Sequence, residues 1–263
     1  MRQLFKAVMI LLLLGTILPG ITQAQSLTFA CEDKQDFPTV IGNTDKVLDE
    51  KPGMGVEAIK LLEKKLDIEI TIKRLPWKRC LRELEKGNID GLFTASYKDK
   101  RKKYGRYPEK NGKVDPSRRF TSASYAFYKL TGSKLDFTGK NYKIFTGKVG
   151  GPLGYSIIDD LKKKGLQMEE SSSTEIDFKK LLSNRLQAVA ALELTGDYYL
   201  TMNKNFSKKI VKMEPLIVEK PYYFIVSHQL YETNHELAEK IFDSIAEIRE
   251  NPDFKKKLAD YLK

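Results

Sequence analysis

The stretch from Leu75 to Arg101, LPWKRCLRELEKGNIDGLFTASYKDKR, restricts the fold of the whole chain, because it reads as a helix that must feed a buried strand. Pro76 is pre-organised for a first helical position. Trp77, Leu81 and Leu84 then recur at i, i+4 and i+7, one apolar stripe backed by charged residues. Gly87 supplies the stop and Asn88 continues the turn. Ile89 to Thr94 reads as a short buried strand, and Ser96 to Arg101 follow at its carboxyl end. A helix leading into a parallel strand belongs to an α/β sheet, and the ligand crevice of such a sheet lies just beyond its strand ends. The hydroxyls of Thr94 and Ser96 and the guanidinium of Arg101 stand there. Strand-end capping and an ordinary surface arginine are the alternative readings.

The rest of the chain repeats the pattern. Leu27 to Cys31 reads as a strand, with Glu32, Asp33, Phe37 and Pro38 just past its end. Val56, Ile59, Leu62 and Leu66 form the stripe of a helix opening at Gly55, and Ile68 to Ile72 alternates as a strand. This β-loop-α-β-α-β order argues for a parallel sheet built by right-handed crossovers. Phe120 to Leu130 reads as an aromatic-rich strand that leaves the first unit. A second unit follows, with a strand over Tyr142 to Val149, a glycine loop to Gly154 and a helix over Tyr155 to Lys164. Next come a helix over Ile176 to Leu182, an apolar strand over Ala188 to Leu192 and a helix over Thr195 to Met202. Short strands are expected at Ile210 to Met213 and Tyr222 to Ser227. Asn234 caps a helix bearing Leu237, Ile241, Ile245 and Ile248, and Pro252 to Leu262 closes the chain as an amphipathic turn or helix.

Two features of the second unit suit an ionic ligand. The loop ending at Gly154 opens a helix, whose free amides and dipole favour an anion, so Gly154, Tyr155 and Ser156 are candidates to hold a carboxylate or phosphate-like group. Glu193 ends the apolar strand, where its carboxylate is either satisfied by a helix N-terminus or aimed at the crevice.

The first residues carry an address. Arg2 and Lys6 precede an apolar run from Ala7 to Leu18 and a small-residue site ending at Ala24, the organisation of a secretory signal peptide. The run is shorter than the ~20 residues that span a bilayer. Residues 1–24 are therefore expected to be removed and the protein to be periplasmic. Net charge is +11 for the 263 residues, and +9 without Arg2 and Lys6. The lysines scatter over most helices rather than forming a reader surface, so nucleic acid is not an expected partner. Export makes a Cys31–Cys80 disulfide the leading reading, with two buried free thiols as the alternative. Two histidines leave a metal site almost no ligands; neither metal nor cofactor is expected.

The Leu84, Gly87, Ile89, Asp90, Ser96 and Arg101 pattern resembles that of the bacterial extracellular solute-binding proteins of family 3, whose best-known members bind amino acids. The Leu75-Pro76-Trp77-x-Arg79 opening is similar to one subset of that family. The resemblance implies a two-lobed α/β fold, each lobe a mixed or parallel sheet flanked by helices, with two hinge strands near Ser124 to Phe127 and Lys220 to Tyr223. One lobe would comprise 25–125 with 223–263, and the other 126–222. It implies an exported protein, monomeric, that closes around a small anionic or zwitterionic ligand for uptake by a membrane permease. A periplasmic sensing subunit or a dehydratase-like enzyme on the same scaffold are the alternatives. Arg101 stands where the family pairs an arginine with the ligand carboxylate, a role suited to a guanidinium fork. Trp77 stands where relatives place an aromatic wall, Arg79 beside it could face the cleft, and Glu193 lies near an acidic residue that pairs with a ligand ammonium. Lys98 replaces the family's usual threonine, and the Asp90 to Arg101 spacing is one residue short, so an ordinary α-amino acid is not the necessary ligand.

Overall fold

A computed structural model describes residues 26–263; the expected signal peptide lies outside the described residues. The first unit runs β1 (Ser26–Glu32), α1 (Met54–Leu66), β2 (Glu69–Leu75), α2 (Trp77–Glu85) and β3 (Gly91–Ser96). Both β2 and β3 pair with β1 in parallel. Pro76 is the N-cap of α2, extended at ψ 135°, so the helix begins one residue later than a first-position proline implies. Gly87 does end it, at φ 69°, where a Cβ would also strike the Gln229 side chain. The strand starts two residues late because Asp90 serves as a tie: its amide bonds the Thr28 carbonyl, and its carboxylate accepts from the Thr28 amide at 2.7 Å.

A small hairpin, β4 (Glu109–Lys110) and β5 (Lys113–Val114), precedes the long β6 (Thr121–Leu130). The second unit comprises β7 (Val149–Pro152), α3 (Ser156–Lys163), β8 (Met168–Ser171), α4 (Thr174–Leu182), β9 (Ala188–Leu192), α5 (Glu193–Met202), α6 (Lys204–Ser207) and β10 (Ile210–Lys212). The return is β11 (Val218–Val226), α7 (His228–Thr233), α8 (His235–Glu250) and α9 (Pro252–Tyr261). A strand over Tyr142 to Val149 is not formed: Tyr142–Ile144 is a 3-10 turn, and the strand occupies the glycines instead. The glycines belong in the strand because their faces are occupied. A Cβ at Gly150 would lie 2.5 Å from Leu186 Cδ1, and one at Gly151 2.6 Å from Ile158 Cδ1.

One sheet, in the order β2-β1-β3-β11-β6-β9-β7-β8 with β10 on β6, runs through both units. The adjacent antiparallel strands β6 and β11 join them. Each side has its own core. Phe29, Phe93, Phe224 and Ile241 lie in one lobe, with a second cluster around Trp77 and Leu84. Phe127, Phe137, Phe145 and Ile157 lie in the other, backed by Tyr128 and Phe178. The protein is a two-lobed α/β molecule.

The expected Cys31–Cys80 disulfide is absent; both cysteines are free and buried. The Cys80 thiol donates instead to the carbonyls of Cys31 and Leu75, each at 3.3 Å. Burial pushes the Cys31 thiol up to about 12 and raises that of Cys80 well above its ordinary value, so neither is a reactive thiolate at neutral pH. Titration of denatured, unreduced protein is expected to find two thiols per chain, reacting far more slowly before denaturation. Finding none would restore the disulfide.

Candidate functional site

The carboxyl ends of β1 and β3 meet the start of α3 across the gap between the lobes. Arg101 closes that gap. It is only 4% exposed. Its Nη1 donates to the Ser96 carbonyl at 3.0 Å and to Ser96 Oγ at 2.8 Å, while Nη2 reaches the Gly154 carbonyl of the other lobe at 2.9 Å. The guanidinium carbon lies 5.5 Å from the centre of the Trp77 ring. Among the described residues no carboxylate pairs with it, so a buried cation is held by neutral oxygens and an aromatic face.

Around it is a cavity of about 20 Å³, lined by Trp77, Thr94, Ser96, Tyr155 and Ser156 among others. That is room for a water-sized group. Ser96 donates to Ser156 Oγ at 2.9 Å, and Tyr155, the N-cap of α3, stands edge-on to Trp77 at 6.2 Å. The Trp77 indole N–H is buried and has no partner among the described residues. Of the residues proposed from sequence, these six (Arg101 included) converge on one cavity, and Gly154 contributes its carbonyl. Arg79 does not join them: it is exposed on α2 and faces Glu83 at 3.7 Å. Glu193 is the first residue of α5 and holds Lys212 at 2.8 Å, away from the cavity.

Sequence reasoning did not place Glu32, Asp36, Tyr125 and Tyr222 in the lining. Glu32 is the last residue of β1, at the end the sequence places on the crevice side; the two tyrosines belong to β6 and β11. Their hydroxyls share a 2.6 Å hydrogen bond in the cavity wall. Tyr155 OH donates to Glu32, and Thr195 Oγ1 to Asp36 at 3.4 Å, so each acid is covered by the opposite lobe. Beyond Ser156, Asp160 of α3 takes both Lys98, past the β3 end, and Lys220 of β11. Lys98 is thus committed to an interlobe ion pair rather than to the cavity.

Burial, aided by the neighbouring acids, pushes Glu32 up to about 8; the Tyr155 hydrogen bond opposes it. Burial likewise pushes Asp36 up to about 7, against the Thr195 bond. Both values exceed the ordinary 4.5 and 3.8, so the closed form holds protons that an open, solvated cleft releases. The stabilisation of ligand-free closure is fully present below the ordinary values and is lost as pH rises through 7 to 8. Small-angle scattering of ligand-free protein is expected to show a larger radius at pH 9 than at pH 5. Glu32→Gln with Asp36→Asn should flatten that change; an unaltered profile in the double variant would reject these two acids as its source.

No curated protein matches the chain. Solved structures do resemble it. An ancestral arginine-binding protein bound to glutamine shares 21% identity at a TM-score of 0.71, covering 90% of this chain and 97% of its own. The arginine-, lysine-, histidine-binding protein ArtJ from Geobacillus stearothermophilus shares 14% at 0.72, covering 90% and 95%. A histidine kinase sensor domain with similarity to periplasmic binding proteins shares 14% at 0.71, covering 91% and 96%. At these identities the likeness is one of fold. The sequence pattern described as bacterial extracellular solute-binding proteins, family 3, extends over residues 37–263, and the chain belongs to that family.

Proposed function

We propose that this protein is a periplasmic receptor that closes around a small zwitterionic, amino-acid-like solute and presents it to a membrane partner, binding rather than converting it. The buried, unpaired guanidinium of Arg101 between the lobes carries the reading. A ligand carboxylate would give it the bidentate counter-ion it lacks, and the unpartnered Trp77 N–H would add a donor beside it. Glu32 and Asp36, on the same cavity, would ionise against a ligand ammonium, which offsets the cost of charging them. The lobes in this reading are 25–125 with 223–263 and 126–222, hinged on β6 and β11. The arginine-binding and arginine-, lysine-, histidine-binding proteins of the same fold support an amino-acid-type head. The resemblance to a sensor domain adds a signalling protein to a permease as the partner that reads the closed form.

A panel of amino acids, their decarboxylated amines and their deaminated acids tests this by thermal shift. A ligand at 100 times its Kd raises apparent stability by about 2.7 kcal/mol. Shifts from amino acids alone support the zwitterionic head; a shift from the amines alone would overturn it.

A further inference from the structure

The cavity at Arg101 is flanked by two hollows of different make-up. Past Arg101 and Tyr155 lies a space of about 700 Å³ where Lys78, Lys100, Lys103, Asp159 and Glu170 alternate with Leu81, Tyr104 and Ile158. On the other side, sharing Asp36, Thr94 and Tyr222 with the cavity, lies a space of about 500 Å³. Its walls are mainly apolar and come from both lobes: Phe37 and Phe120, Leu194 of α5, and Phe254, Leu258 and Leu262 at the C-terminus. Its floor is β6 from Thr121 to Ser124, which pairs with β11 along one edge, while β9 covers the other edge only from Tyr125 onward. Of the charges at its rim, Arg249 and Lys255 already share Glu250, and Glu193 holds Lys212. Arg119 and Glu219 also line it, without an ion pair among the described residues, and beside them stands apolar surface, with Leu194 44% and Leu262 48% exposed.

We infer that the ligand is an amphiphile, with its ionic head at Arg101 and an unbranched apolar chain running past Thr94 and Tyr222 into this hollow. The inference rests on the head-group reading above and adds the rest of the molecule. The ligand-free closed cavity, about 20 Å³, is smaller than an amino-acid head, so the lobes must part to seat the head and the rest of the ligand extends toward one of the two hollows. Both hollows have volumes within the roughly 300–1,000 Å³ of small-molecule sites; what separates them is the lysines and acids lining the first and the larger apolar share of the second. Contact with both lobes means that chain burial also favours closure. Each buried methylene is expected to tighten binding by about fourfold, the equivalent of about 0.8 kcal/mol.

Calorimetric titration of the whole protein with two homologous series tests the assignment. One series is straight-chain 2-amino acids from 2-aminobutyrate to 2-aminodecanoate; the other is the alkyl carboxylates of matching length. Affinity should climb severalfold per carbon in the amino-acid series. The double variant Leu194→Asp, Leu262→Asp changes two exposed positions and should lose the climb while keeping the affinity of the shortest member. Short amino acids that bind with no dependence on chain length would overturn the hollow and leave the head-group reading standing. A climb in the carboxylates with no binding by amino acids would keep the hollow and remove the zwitterionic head. A climb of the same steepness in the double variant would overturn the hollow, and no binding in either series would overturn both.

Discussion

Replacing Arg101 with alanine is expected to lower ligand affinity by about 2–5 kcal/mol, roughly 30-fold to several thousandfold, while the fold persists. The cost is large because the ligand's anion would be enclosed by the closing lobes with no counter-ion. The variant should remain folded, since Arg101 contacts neutral oxygens of Ser96 and Gly154 rather than completing an ion pair. Arg101→Lys should recover only part of the affinity, because an ammonium cannot present two parallel donors. Lys98→Ala is the control: its ammonium is held by Asp160, so its removal should disturb closure more than head-group recognition. Titration of the three variants with the tightest ligand of the panel measures this. Unchanged affinity in Arg101→Ala, or a larger loss in Lys98→Ala, would move the anchor elsewhere.

The second large effect lies behind the cavity wall. Phe224 of β11 is 1% exposed, stacked on Phe93 at 5.3 Å and edge-on to Phe120 at 5.1 Å. Phe224→Ala is expected to destabilise the protein by about 3–5 kcal/mol, the cost of lost burial plus the void left among aromatic rings that cannot collapse into it. Urea unfolding should show the midpoint fall with little change of slope. Because Phe93 lines the cavity, ligand affinity should fall as well. A loss under about 1 kcal/mol would mean that the ring cluster repacks freely.

Local patterns carried much of this architecture. The stripe on α2, the stop at Gly87 and the run Ala188 to Leu192 each state their structure within a few residues, and β9 has the bounds the sequence implies. Arg101 was legible because it follows a strand end at a fixed distance. For Glu193 the sequence leaves two readings, helix start or crevice, and the structure has it starting α5 and holding Lys212. Arg79 lies outside the cavity because the two residues of helix that separate it from Trp77 rotate its side chain by about 200°, onto the exposed face. Tyr125 and Tyr222 fall within the two implied hinge strands, but their contact is not legible there. Their meeting depends on the register of β6 against β11, some hundred residues apart, and no local periodicity encodes it. The cysteines failed on geometry: adjacency of the elements was foreseeable, but not that the Cys80 thiol would point at a backbone oxygen.

The position of β11 bears on the order in which the molecule can be completed. Though among the last strands in the chain, it sits in the middle of the sheet, between β3 and β6, and it is the strand that unites the two halves. Synthesis therefore delivers two incomplete sheets, and the second half can close on itself while the first still waits for its neighbour. Ending the chain before Val218 would not shave an edge from the sheet; it would divide it, leaving β3 and β6 each with a bare row of peptide groups. Such edges recruit strands from other chains. The interval between the appearance of β3 and the arrival of β11 is the period in which this protein is most exposed to aggregation.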